Sequence, residues 1–156
     1  MNLIHLLLAL AALASSLFAG LMFTMLDIIQ PILNKQSGAE SAGLMQNIIQ
    51  AGSRSRVLLV SMISTGLAGL VALALMVNQN WVNRAFWVAM AGWWIFVAAS
   101  FVASRFAADP LYKTIMGWAV PPLNWREYRE RWYQINLWRG LGAVAASVLF
   151  LVAILV

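Results

Sequence analysis

The sequence predicts an all-α integral membrane protein, a four-helix antiparallel bundle whose last helix extends beyond the membrane. Three observations carry that expectation. Of 156 residues, 63% are hydrophobic and 10% charged, with a mean hydropathy of +0.82, too little polar surface for a water-exposed domain. Four stretches reach the roughly 20 apolar residues that a helix needs to cross a hydrocarbon core about 30 Å thick. They are residues 3–26, 57–77, 85–104 and 137–156; the first three contain no Asp, Glu, Lys or Arg, and the last contains Arg139 near its start. The net charge of +5 falls between these stretches rather than in a tail, which reads as topology and contact with anionic headgroups, with no nucleic-acid partner. The length suits one domain, residues 1–156.

The first stretch contains Ala12-Leu13-Ala14, which resembles a signal-peptide cleavage site. No Lys or Arg precedes it and apolar residues continue to Leu26, so it is expected to remain as a span. Lipid tails are as apolar as Leu, so close packing of small residues must hold such helices together. Ala12, Ser16, Gly20 and Thr24 form a four-residue stripe on the first span; Ser61, Thr65 and Gly69 mark the second, Ala143 and Ser147 the fourth. The third is bulky, with Phe86, Trp87, Trp93, Trp94 and Phe96. Trp87 and Trp94 lie seven apart, which fits an interface belt, a lipid-facing rim or an aromatic box for a planar ligand.

The connections are unequal. Residues 78–84 make a short turn, whereas 27–56 and 105–136 are long and fall on one side of a four-span protein. Lys35, Arg54, Arg56, Arg105, Lys113, Arg126, Arg129, Arg131 and Arg139 belong to that side, Arg84 alone to the other. The positive-inside bias places the long loops in the cytoplasm and both termini outside, in a multi-pass protein of the cell membrane, the inner membrane if the source is bacterial.

Polar chemistry concentrates in residues 124–139. Asn124 and Glu127 have capping-box spacing after Pro121-Pro122, and a helix from Trp125 could run unbroken to Val156. Arg126–Glu130 and Glu127–Arg131 have the i,i+4 spacing that would support it. Trp125, Arg129, Trp132, Asn136 and Arg139 fall on one face. That face is either an interfacial anchor of Trp and snorkelling Arg, or the wall of a polar pocket. Asp27 closes the first span on the same side as Arg129 and Arg139. It would pair with an Arg, act as a base if desolvated, or simply meet water. Expectation places Asp27, Asn136 and Arg139 in one cavity. With one His and no Cys, disulfides, thiolate metal sites and Cys nucleophiles are excluded, and no metal or cofactor is expected. His5 lies about 33 Å from Asp27 along an α-helix and cannot join it. No phosphate loop or nucleophile elbow is present.

Pro122-Leu123-Asn124, followed by Trp132, Asn136 and Arg139, resembles the small four-helix membrane family named for anthrone oxygenases, also catalogued as a domain of unknown function. Phe18-Ala19-Gly20-Leu21, Pro31 and Met45-Gln46 extend the similarity, although the family's spacer after Pro-Leu-Asn is nearly absent here. The resemblance implies a planar hydrophobic or quinone-like small molecule at one membrane face and, if the chain is an enzyme, cofactor-independent oxygenation. Asp27 as base and Arg139 as oxyanion partner would be the catalytic pair. Asn124, Arg129, Trp132, Asn136 and Gln46 would bind the ligand. The rival expectation is a non-catalytic accessory or assembly subunit of a larger membrane complex, with lipids as partners in either case.

Overall fold

Backbone N–H and C=O groups find no water in lipid, so an apolar chain of this length crosses as helices. A computed structural model describes residues 2–80 and 82–156, with side chains for all of these except 79 and 80. Helix α1 (Leu3–Thr24) begins where Asn2 Oδ1 accepts from the His5 N–H at 2.9 Å. It continues through a π-helical turn, Met25–Ile29, into α2 (Gln30–Asn34). Helix α3 (Gly38–Ser53) precedes α4 (Arg56–Asn80). Helix α5 (Arg84–Val97) passes through two π turns, Ala98–Val102 and Ser104–Ala108, into α6 (Asp109–Met116). Helix α7 (Trp125–Leu155) ends the chain, and no strand occurs among the described residues. Four continuous helical segments are long and apolar enough to cross a membrane: Leu3–Asn34, Arg56–Asn78, Arg84–Met116 and Trp125–Leu155. The chain is a multi-pass helical membrane protein.

The first and third spans run well past residues 26 and 104, where hydropathy alone ends them. Proline explains how. Pro31 and Pro110 lack an N–H, and their rings crowd the carbonyls four residues back, at Asp27 and Phe106. Both of those residues lie inside π turns. The wider turn absorbs the conflict, and the helix continues instead of ending.

Helices α1, α4, α5 and α7 form a ring in which α1 packs on α4 and α7, and α5 packs on the same two. Phe18 meets Phe96 edge-on across the diagonal, with centroids 5.7 Å apart. Between α1 and α7, Ser15 Oγ donates to the Ala143 carbonyl (2.7 Å), Ser147 Oγ donates to the Ala12 carbonyl (3.0 Å), and Ser16 and Ser147 share a 2.7 Å bond. Such interhelical bonds contribute about 0.6 kcal/mol each in membranes. On α4 the Gly66 carbonyl accepts from Trp93 Nε1 at 2.9 Å, and a Cβ at Gly69 would lie 2.7 Å from Trp93 Cδ1. Gly142 is equally constrained, since a Cβ there would overlap Ala99 Cβ.

The α1 stripe is only half used. Ala12 and Ser16 meet α7, but Gly20 and Thr24 are exposed, and Thr24 Oγ1 bonds back to the Gly20 carbonyl. A strict four-residue step advances about 40° too far per step on a helix of 3.6 residues per turn. The buried face instead runs Ile4, Leu8, Ala11, Ser15, Phe18, Met22 and Leu26. Trp87 and Trp94 face outward, as a lipid-facing rim requires.

Helix α7 is unbroken over 31 residues, about 46 Å at 1.5 Å per residue, so roughly 16 Å exceeds the hydrocarbon thickness. Its start differs in detail from the expected capping box. Asn124 Nδ2 donates to the Glu127 carboxylate (3.3 Å) and makes no side-chain cap to the backbone. Glu130 accepts from Gln134 at 2.9 Å. The i,i+4 pairs with Arg126 and Arg131 do not form; among the described residues the ion pair is Arg105–Asp109, at 3.4 Å. Continuity rests on packing more than on surface charge.

Two hydrophobic cores result. One fills the ring, from Ile4 and Phe86 at one end to Met22 and Phe96. The other joins Leu33, Met45, Ile49, Leu111, Ile115 and Trp132, and thus ties α2, α3 and α6 to the first half of α7 as a cap on the long-loop side.

Candidate functional site

A cavity of about 230 Å³ lies at the seam between the two cores. Met22, Met25, Ile48, Ile49, Leu58 and Met62 give it apolar walls, and Trp132 closes one side. Polar groups enter from four elements: Ser53 at the end of α3, Ser104 on the second of the π turns after α5, Asp109 and Tyr112 on α6, and Asn136 and Arg139 on α7. The π turns matter here, because they carry the first and third spans past their prolines and bring Met25, Ser104 and α6 to this level.

Arg139 is the centre of the site. It is 5% exposed, and arginine keeps its charge even when buried. Nη1 donates to Asn136 Oδ1 at 3.2 Å, and the guanidinium carbon stands 5.3 Å from the centroid of Phe18. Asn136 is fixed in turn, since its Nδ2 donates to the Trp132 carbonyl at 3.0 Å. The Tyr112 hydroxyl faces both the Arg139 guanidinium and the Trp132 side chain, and the field of Asp109 reaches Tyr112 and Arg139. Two buried polar atoms on residues of the cavity wall have no hydrogen-bond partner: Arg139 Nε and Ser104 Oγ. Unmade bonds of this kind cost about 1–3 kcal/mol each, and both atoms belong to residues that line the cavity.

The expected site residues separate into three groups. Trp132, Asn136 and Arg139 converge on the cavity. Gln46, Arg129 and Asn124 lie elsewhere. Gln46 Nε2 donates to the carbonyls of Ile115 (2.9 Å) and Trp118 (3.0 Å), which ties α3 to the open C-terminal end of α6. Arg129 stacks 5.1 Å from the Trp125 ring, and Asn124 holds Glu127. Asp27 needs correction: it is exposed and does not line the cavity. It lies about 120° around α1 from the buried face, for the same reason that Gly20 and Thr24 miss it. The carboxylate that serves the cavity is Asp109. It was legible in principle, because Arg105, Asp109 and Tyr112 recur at four- and three-residue spacing, a helical period hidden by treating 105–136 as a loop.

Comparison of the chain with models of protein families, with curated proteins and with solved structures returned no match in any of the three. Among the described residues no group of three His, Cys, Asp or Glu side chains is placed to hold a metal ion. A planar cation with a free N–H, a phenol and a carboxylate share one apolar cavity. Such a set can orient an oxygen acceptor and exchange a proton with it.

Proposed function

We propose that this membrane protein binds a planar hydrophobic or quinone-like molecule in the Arg139 cavity at its long-loop face. The observation that carries the reading is the unpartnered Nε of a buried arginine on the wall of a largely apolar cavity. Size supports a small ring system. An apolar cavity of about 150 Å³ holds benzene, so about 230 Å³ suits one or two fused rings. A three-ring anthrone would require the flexible side chains of Met22, Met25 and Met62 to move aside. If the molecule reacts, as in anthrone oxygenation, Arg139 is the oxyanion partner and Asp109, not Asp27, is the base within reach. Both would act in the cell membrane, without a cofactor.

The test is mass spectrometry of small molecules retained through a gentle detergent purification. Gly52 lines the cavity, and a Cβ there meets nothing within 4 Å, so Gly52→Phe fills the space without forcing the backbone. The wild-type chain should retain an aromatic molecule that Gly52→Phe loses at unchanged helicity. Equal retention by both would refute the reading.

The rival reading, an accessory subunit, draws on an apolar groove of about 510 Å³ between α1 and α4, lined by Leu10, Leu13, Leu17, Val57 and Val60. A partner's transmembrane helix would occupy it. Leu13→Trp would then shrink the native complex in gentle detergent and leave ligand retention intact.

A further inference from the structure

We infer that the molecule bound in the Arg139 cavity is an anion, an aromatic carboxylate or phenolate, rather than a neutral quinone or ketone. The inference rests on the reading above and narrows its ligand class.

The charges around the cavity do not balance. Of the ionisable groups lining the cavity, Arg139 is positive, Asp109 is negative and Tyr112 is a neutral phenol. Asp109 is already paired with Arg105, at 3.4 Å. Arg105 and Asp109 are open to water, at 71% and 44% exposed, whereas Arg139 is buried at the seam of two hydrophobic cores and makes no ion pair of its own among the described residues. A buried charge without a counter-charge is costly in this setting. The contacts that Arg139 does make, the ring face of Phe18 and the oxygens of Asn136 and Tyr112, supply partial charges only. The N–H at Arg139 Nε and the hydroxyl of Ser104 make no hydrogen bond within the protein. A carboxylate or phenolate oxygen accepts from such donors, and brings the missing negative charge with it.

The experiment uses the full chain in uncharged detergent at neutral pH, with two probes of the same two-ring body. One is 2-naphthoate, which is ionised; the other is 2-acetylnaphthalene, in which a methyl group replaces the charged oxygen. Binding is measured by equilibrium dialysis, with uptake by empty micelles subtracted. The naphthoate should bind at least about tenfold more tightly, the advantage expected of a charge-assisted hydrogen bond. Arg139→Met should abolish that preference and Arg139→Lys should retain part of it. Arg129→Gln, outside the cavity, should leave it unchanged. If Arg139→Met does not fold, Gly52→Phe carries the test, because it should remove naphthoate binding while the charge remains. Equal binding of both probes, blocked by Gly52→Phe, would overturn the anion and leave a hydrophobic ligand standing. Binding of neither would overturn both readings, and a preference that survives Arg139→Met or disappears with Arg129→Gln would place the anion on the surface.

Discussion

At the scale of single residues, the decisive fact is which groups share the burden of Arg139. Spacing along the chain pointed to Asp27, and the helical phase of α1 turns that carboxylate outward. Asp27→Asn should therefore change stability by no more than about 0.5 kcal/mol, as exposed substitutions do. Its effect should simply add to that of Arg139→Met. Tyr112 faces the guanidinium directly, so Tyr112→Phe and Arg139→Met should be non-additive by about 0.5–3 kcal/mol. Unfolding in bicelles of the two double-mutant cycles checks both statements. A coupled Asp27 with an uncoupled Tyr112 would mean that the site is built differently.

At the scale of elements, close approach rather than hydropathy sets the geometry. Gly142 sits against Ala99, where the first of the π turns after α5 meets α7. Gly142→Ala should destabilise by about 1–3 kcal/mol through overpacking, and Ala99→Gly should restore most of the loss when the two are combined. The measurement is denaturation of the two single variants and the double one; additive losses would show that the contact is slack. Helix α3 depends on a different device. Glu40 accepts from the Ser37 N–H (3.1 Å) and hydroxyl (2.8 Å), and these bonds hold its carboxyl below the usual carboxylate range. A carboxyl lowered on folding supports the structure at pH above its unfolded value, and that support is lost as pH falls through the folded value. Hydrogen exchange at the first turn of α3 should therefore accelerate on acidification through that window. In Glu40→Gln the acid-dependent step should be absent.

At the scale of the molecule, both described chain ends and the α4–α5 turn gather at one face, where Asn2, His5, Asn83 and Leu155 line a common hollow. Nine of the ten Lys and Arg residues belong to the other half. Reporter fusions should place both termini outside the cytoplasm; a cytoplasmic C-terminus would mean that the arginines answer to the cap and its cavity instead of to topology. Span number and the continuity of α7 were legible because apolar length and the absence of an internal proline determine them locally. The cap was not. Hydropathy ends the first and third spans before Pro31 and Pro110 are reached, and the accommodation of those prolines by π turns depends on the partners that α2 and α6 find in Leu33, Met45, Ile115 and Trp132. Half of the candidate site followed from the face of α7. The other half, Asp109 and Tyr112, followed only from the unexpected extension of the third span.

The π turn at Met25–Ile29 also keeps phase. Its wider winding takes up one residue more than an α turn of similar rotation, so α2 leaves the bundle at the angle of an uninterrupted helix one residue shorter. A further residue would not be absorbed. An Ala inserted between Ile29 and Gln30 would rotate Gln30 and Leu33 by about 100° relative to α1. Leu33 would then leave the cluster around Met45 and Trp132. The lengthened chain should insert and remain helical, yet its α3 and α6 should become accessible to protease. The cavity at the seam of the two cores exists only while bundle and cap are in phase.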